Sequence, residues 1–172
     1  MEKSWTIREA EEIDIAAIAQ VHVASWKSTY HGLIPASVIE SYTVERRNTI
    51  WAKILAQGKT KTLVIADKSI FGFVNFGATR DSDKDVHQTA EINAIYLLES
   101  YWRRKLGKVL LEQAIQDILA QGFHEITLWV LDSNTRARSF YAALRFYPDG
   151  ASKLDVRGDA TLTELRYCRV FS

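Results

Sequence analysis

The sequence predicts an α+β fold, built on a mixed, largely antiparallel central sheet flanked by helices. Three observations carry that prediction. The predicted elements run strand, helices, three strands, helix, strand, helix, two strands, which is neither a regular βαβ alternation nor an all-β pattern. Strand-like runs follow one another at 60–66, 70–78 and 90–97, the first two joined by the tight polar link Asp67-Lys68-Ser69 expected of a hairpin. Finally, residues 90–131 form a strand–helix–strand unit whose strands should be parallel, with a right-handed crossover.

Each element has its own local signal. Residues 5–8 read as a short first strand. Asp14 then precedes Ile15, Ile18, Ala19, His22 and Trp26, whose three-and-four spacing predicts an amphipathic helix. Residues 30–35, with Gly32 among them, make a turn, followed by a short helix near 35–41. A longer helix at 44–57 places Ile50, Ile54 and Leu55 on one face and stops at Gly58. Beyond the three strands, Leu106, Leu110, Leu111, Ala114, Ile115, Ile118 and Leu119 form the clearest helical stripe, ended by Gly122. A strand at 125–131, a helix at 134–144 and strands at 146–154 and 161–171 around Arg157-Gly158-Asp159 complete the order.

Composition narrows the function classes. The 172 residues suit a single domain spanning 1–172. Twenty-two Lys and Arg against 21 Asp and Glu leave a formal charge of +1, which argues against a dedicated nucleic-acid binder. Any anion site must therefore come from local clustering of charge. Cys168 is the single cysteine, so no metal-ligand spacing exists and an inert, small hydrophobe is expected there. Residues 1–5 lack the apolar stretch of a signal peptide and no later run could span a bilayer, so a cytoplasmic setting without membrane contact is expected.

Local clustering does occur. Arg103, Arg104, Lys105 and Lys108 crowd the predicted N-terminus of the stripe helix. There they oppose the helix dipole, each by a few tenths of a kcal/mol. A bound anion such as pyrophosphate offsets that repulsion, and Gly107 would let the backbone approach it closely. A solvated basic turn is the plainer alternative.

At these residues the chain resembles the GCN5-related N-acetyltransferase (GNAT) family. That family's first motif is Gln or Arg, two residues, Gly, one residue, then Gly or Ala. Here it reads Trp102-Arg103-Arg104-Lys105-Leu106-Gly107, so Gly107 matches while Trp102 and Lys105 depart. If the turn demands a positive φ, Lys105 holds it at a cost of roughly 1 kcal/mol. The second motif is fuller. Asn134-Thr135-Arg136-Ala137-Arg138-Ser139-Phe140-Tyr141-Ala142-Ala143-Leu144-Arg145-Phe146 is similar to the family's Asn, two residues, Ala, two residues, Phe-Tyr, two residues, Leu-Gly-Phe, with Arg145 the one departure.

The resemblance implies a GNAT-like acyl-CoA N-acyltransferase fold and acetyl-CoA as co-substrate, with no metal. It implies that Arg103, Arg104, Lys105, Leu106, Gly107 and Lys108 hold the pyrophosphate, and that Asn134 contacts the coenzyme. Backbone groups of Ile95, Tyr96 and Leu97 would hold the pantetheine arm, one of them polarising the thioester carbonyl. Tyr141 becomes the general acid, since a phenol of pKa about 10 still carries its proton at neutral pH. Glu91, eleven residues before Trp102, takes the general-base role. Its alternatives are a strand carboxylate paired with a nearby cation, with His87 as the competing base. Trp26 and Tyr30 would wall the acceptor pocket, unless they are core anchors. Asp81, Asp83 and Asp85 either draw in a cation or are solvated surface. The expected activity is direct acetyl transfer to a primary amine of a small molecule or peptide. A non-catalytic acyl-CoA-binding or sensing module and an unrelated domain binding a nucleotide phosphate stand as alternatives. Dimerisation is common in the family, and a homodimer is left open.

Overall fold

A computed structural model describes residues 4–172, so the first three residues of the segment read above as lacking a signal lie outside the described residues. The chain forms β1 (Thr6–Glu9), α1 (Ile15–Tyr30), α2 (Ala36–Glu40), α3 (Val44–Gln57), β2 (Lys61–Ala66), β3 (Ile70–Ala78), β4 (Thr89–Leu97), α4 (Leu106–Ala120), β5 (Glu125–Leu131), α5 (Thr135–Ala143), β6 (Tyr147–Arg157) and β7 (Ala160–Val170). Every predicted element is present, with ends moved by at most three residues. One seven-stranded sheet runs β1-β2-β3-β4-β5-β7-β6. Only β4 and β5 pair in parallel, across the crossover made by α4. The mixed, largely antiparallel α+β sheet is therefore the observed architecture.

Local chemistry explains most boundaries. Gly58 ends α3 in the left-handed region at φ 60°, where a residue without Cβ is unstrained. Asp14 departs from expectation, because its carboxylate makes no side-chain cap on α1. It accepts instead from the Arg8 guanidinium at 2.6 and 2.9 Å and from the Glu11 N–H at 2.8 Å. That pairing ties β1 to the turn ahead of α1.

Both sheet faces are covered. The α4 stripe, led by Leu110, Leu111, Ala114 and Ile118, packs on Ile65, Val74, Ile92, Ile126 and Leu128. On the other face Ile18, Ala19 and Val21 of α1 join Trp51 of α3 over Val64 and Phe73. Trp26, Ile34 and Val38 pack on Leu131 and on Leu162 of β7, joining the first helices to the last hairpin.

One irregularity positions everything that follows. Between β3 and β4 the register passes from Phe76↔Ile92 to Asn75↔Ala94, leaving Asn93 as an extra residue, a β-bulge. Its amide donates to Asn75 Oδ1 at 2.9 Å, and Asn75 donates in turn to Thr60 and Thr62 hydroxyls at 2.9 and 3.0 Å. The parallel pairing of β4 with β5 stops beside the bulge, at Ile92↔Leu128, although the strands continue to Leu97 and Leu131. The sheet therefore splays open at its centre. No helix among the described residues is long and apolar enough to cross a membrane.

Candidate active site

The splay holds a cavity of about 740 Å³. Residues 92–97 of β4 form one wall and 128–130 of β5 the other. Thr29 and Tyr30 close it from α1; Asn134, Arg136, Phe140 and Tyr141 close it from α5. Along β4 the backbone groups beyond Ile92 lack a β5 ladder partner, so main-chain donors and acceptors there border the cavity. Ile95, Tyr96 and Leu97 all stand on this wall, where the sequence placed them.

The loop from β4 to α4 supplies a cationic end. Tyr101 anchors it, stacking on Phe71 at 3.9 Å and donating to Asp67 at 2.7 Å. Arg103 and Lys105 both sit at φ 61°, a left-handed conformation that glycine adopts more cheaply. Lys105 is the N-cap of α4 and offers no side-chain acceptor, leaving first-turn N–H groups open. Arg103, Lys105 and Gly107 line the cavity. Three other expected ligands do not. Arg104 lies 5.3 Å over the Tyr101 ring, Lys108 pairs with Glu112 at 3.7 Å on the helix surface, and the Leu106 side chain is buried in the core. A Cβ on Gly107 would meet Phe140 at an ordinary 3.6 Å, so the protein itself does not demand a glycine there.

Helix α5 supplies the opposite wall. Asn134 is buried and caps α5, its Oδ1 accepting from the Ala137 N–H at 3.1 Å, which leaves its amide nitrogen for the cavity. Burial pushes the Tyr141 phenol above its ordinary pKa, with the nearby Tyr30 adding to the shift. The hydroxyl therefore keeps its proton throughout the physiological range. Across the cavity the Tyr30 and Tyr96 hydroxyls are hydrogen-bonded at 3.1 Å.

Two expected contributors stand outside the cavity wall. Trp26 is buried against Tyr42, the rings stacked at 3.8 Å and 8°, and serves as a core anchor. Glu91 is 1% exposed; one oxygen accepts from the Arg80 N–H at 3.0 Å and the other from its guanidinium at 2.6 Å. The acidic loop is committed as well. Buried Arg166 holds Asp83 through two bonds of 2.7 Å, Asp149 at 2.7 Å and Asp81 at 3.2 Å, while Asp85 accepts from the His87 N–H at 2.8 Å. Arg166 of β7, holding Asp81 and Asp83 together with Asp149 of β6, fastens the β3–β4 loop to the last two strands. Sequence reasoning missed Arg136, Asn93 and Trp129, all on the cavity wall. Arg136 carried a usable signal, since a cation in the first turn of α5 opposes the dipole as Arg103 does at α4. Among the described residues no group of three or more His, Cys, Asp or Glu side chains is placed to hold a metal ion.

The sequence matches the acetyltransferase (GNAT) family model over residues 20–146. The chain belongs to the GNAT family. It is an N-acetyltransferase that uses acetyl-CoA. Over 131 residues it is 36% identical to the uncharacterised N-acetyltransferase YuaI of Bacillus subtilis, covering 75% of this chain and 73% of that one. A spermidine N(1)-acetyltransferase of Thermoplasma acidophilum is 28% identical over 170 residues, 95% of this chain and 98% of the relative. Among solved structures, the PaiA N-acetyltransferase of Thermoplasma acidophilum in complex with coenzyme A superposes with a TM-score of 0.72 at 26% identity, covering 94% and 98% of the two chains. A GCN5-related N-acetyltransferase from Rhodopseudomonas palustris reaches 0.78 at 16% identity, covering 99% and 98%, and speaks for the GNAT fold alone.

Proposed function

We propose that this domain moves the acetyl group of acetyl-CoA to a primary amine of a small molecule or peptide, by direct attack within a ternary complex in a cytoplasmic setting. The observation that carries this reading is the cavity in the splay, cationic at the α4 end and bounded by Tyr141 and the unpaired edge of β4. The coenzyme's phosphates lie at Arg103, Lys105 and the α4 N-terminus, and its arm runs along residues 95–97 toward Tyr141. The amine nitrogen bonds to the thioester carbon, a β4 N–H steadies the oxyanion, and the C–S bond breaks as Tyr141 gives its proton to the leaving sulfur. Tyr30 borders the acceptor side with Tyr96. Because both Glu91 oxygens already accept from Arg80, Glu91 takes the amine's proton through water rather than by contact.

Calorimetry with coenzyme A tests binding, and thiol release over an amine panel tests turnover. Spermidine heads that panel because a full-length relative is named for it. Tyr141→Phe is expected to lower kcat by roughly a hundredfold with little change in KM for acetyl-CoA. An unchanged kcat would move the proton-donor role to another group.

A further inference from the structure

Trp102 stands where the family resemblance expects a polar residue, and its surroundings give it a different task. Its indole N–H donates to Leu97 O at 2.9 Å, which pins the ring to the last residue of β4. The Arg136 guanidinium carbon lies over that ring, 3.4 Å from its centre. Arg136 comes from the first turn of α5, so the stack spans the mouth of the splay from one wall to the other. Its neighbour Arg138 is directed elsewhere, donating to the Tyr167 hydroxyl at 2.9 Å and to Asp132 O at 3.0 Å. Arg136 has no hydrogen bond or ion pair among the described residues, and it lines the cavity with Arg103 and Lys105 against a single carboxylate, Glu99. Three cations facing one carboxylate leave a local excess of about two positive charges, and a guanidinium that rests on a ring and makes no hydrogen bond keeps its N–H groups available to an anion.

We propose that Arg136, propped on Trp102, is a phosphate anchor for the coenzyme and closes the cationic end of the cavity from the α5 side. The idea rests on the reading of the cavity as a coenzyme site. It assigns Trp102 a positioning role, as a platform whose N–H bond to Leu97 sets where the guanidinium stands. The phosphate it holds is either the diphosphate or the 3′-phosphate of the nucleotide. The two sources share the same chemistry and can be separated by experiment.

The test measures KM and kcat for acetyl-CoA, acetyl-dephospho-CoA and S-acetylpantetheine in the wild type, Arg136→Ala, Arg136→Lys, Trp102→Phe and Trp102→Ala. Arg136→Ala should raise KM for acetyl-CoA roughly tenfold with kcat nearly unchanged, as loss of one charge-assisted contact implies. Arg136→Lys should recover part of that loss, and Trp102→Phe, which keeps a ring but not the N–H bond, should fall between wild type and Trp102→Ala. Persistence of the tenfold effect with acetyl-dephospho-CoA assigns the diphosphate; its disappearance assigns the 3′-phosphate. An equal effect on S-acetylpantetheine, which has no phosphate, overturns the proposal, as does an Arg136→Ala variant with unchanged KM for acetyl-CoA. Titration of inorganic pyrophosphate into wild type and Arg136→Ala reads the anion site independently of turnover. Should the wild type bind pyrophosphate but not coenzyme A, the coenzyme reading fails alone; equal pyrophosphate affinity in both proteins rules out the diphosphate, and defeats the anchor when the effect also persists with acetyl-dephospho-CoA.

Discussion

Among the described residues three basic ones occupy left-handed backbone: Arg103 and Lys105 at φ 61° and Arg145 at φ 66°. Each holds a conformation that would cost about 1 kcal/mol less with glycine. Two of them face the cavity, and Arg145 does not. Arg145→Gly should therefore raise stability by about 1 kcal/mol without altering KM. Lys105→Gly should raise stability by a similar amount while weakening acetyl-CoA binding, which denaturant midpoints and KM report separately. Tighter binding by Lys105→Gly would show that its side chain is not an anion ligand. Glu91→Gln should lower kcat/KM; a lower Tm with an unchanged kcat/KM would assign Glu91 to the fold alone. At this scale Asn134 and Tyr141 were singled out by the family resemblance of the segment 134–146, and both stand on the cavity wall. Arg136 was not singled out, because its importance comes from a ring in another segment, 34 positions away in the chain.

The elements themselves were read correctly from periodicity and punctuation, since those signals are local. The splay was not. It depends on the extra residue in β4 and on where pairing with β5 stops, and neither is written in hydrophobic alternation. The insertion of β7 between β5 and β6 was likewise invisible, because strand order is set by pairing across the sheet rather than by sequence order. What holds the bulge is a buried polar chain through Asn75, which is 4% exposed. Asn75→Ala removes the acceptor for Asn93 and the donor to Thr60 and Thr62. The expected loss is about 2–3 kcal/mol in chemical unfolding, together with weaker coenzyme A binding in calorimetry. Full stability with weakened binding would still tie the network to the bulge, whereas full stability and full affinity would remove it from both roles.

For the whole molecule, His22 joins the helical layer to the sheet. Its ring lies among Trp26, Tyr42, Trp51, Phe73 and Tyr96, and Nδ1 accepts from the Trp51 indole at 3.1 Å. Burial, with the nearby Arg47 charge, pulls its pKa from 6.5 down to about 3. The unfolded chain therefore binds a proton near pH 6.5 that the native protein refuses until about pH 3. Stability from this group is complete above pH 6.5 and declines as pH falls, by up to about 1.4 kcal/mol per unit. Asp83, held down to about 2 by Arg166, adds its own loss only below the ordinary carboxylate range. Denaturant midpoints at pH 7 and pH 5 should separate clearly in the wild type and converge in His22→Gln; equal midpoints in the wild type would mean the imidazole is reached by water. A last consequence belongs to the open edge of β4. An unsatisfied strand edge normally invites another polypeptide, but this one lies inside the cleft between β4 and β5. What completes the ladder must carry donors and acceptors spaced along a line, so the gap selects visitors by the pitch of their polar groups before any charge or catalytic group is consulted.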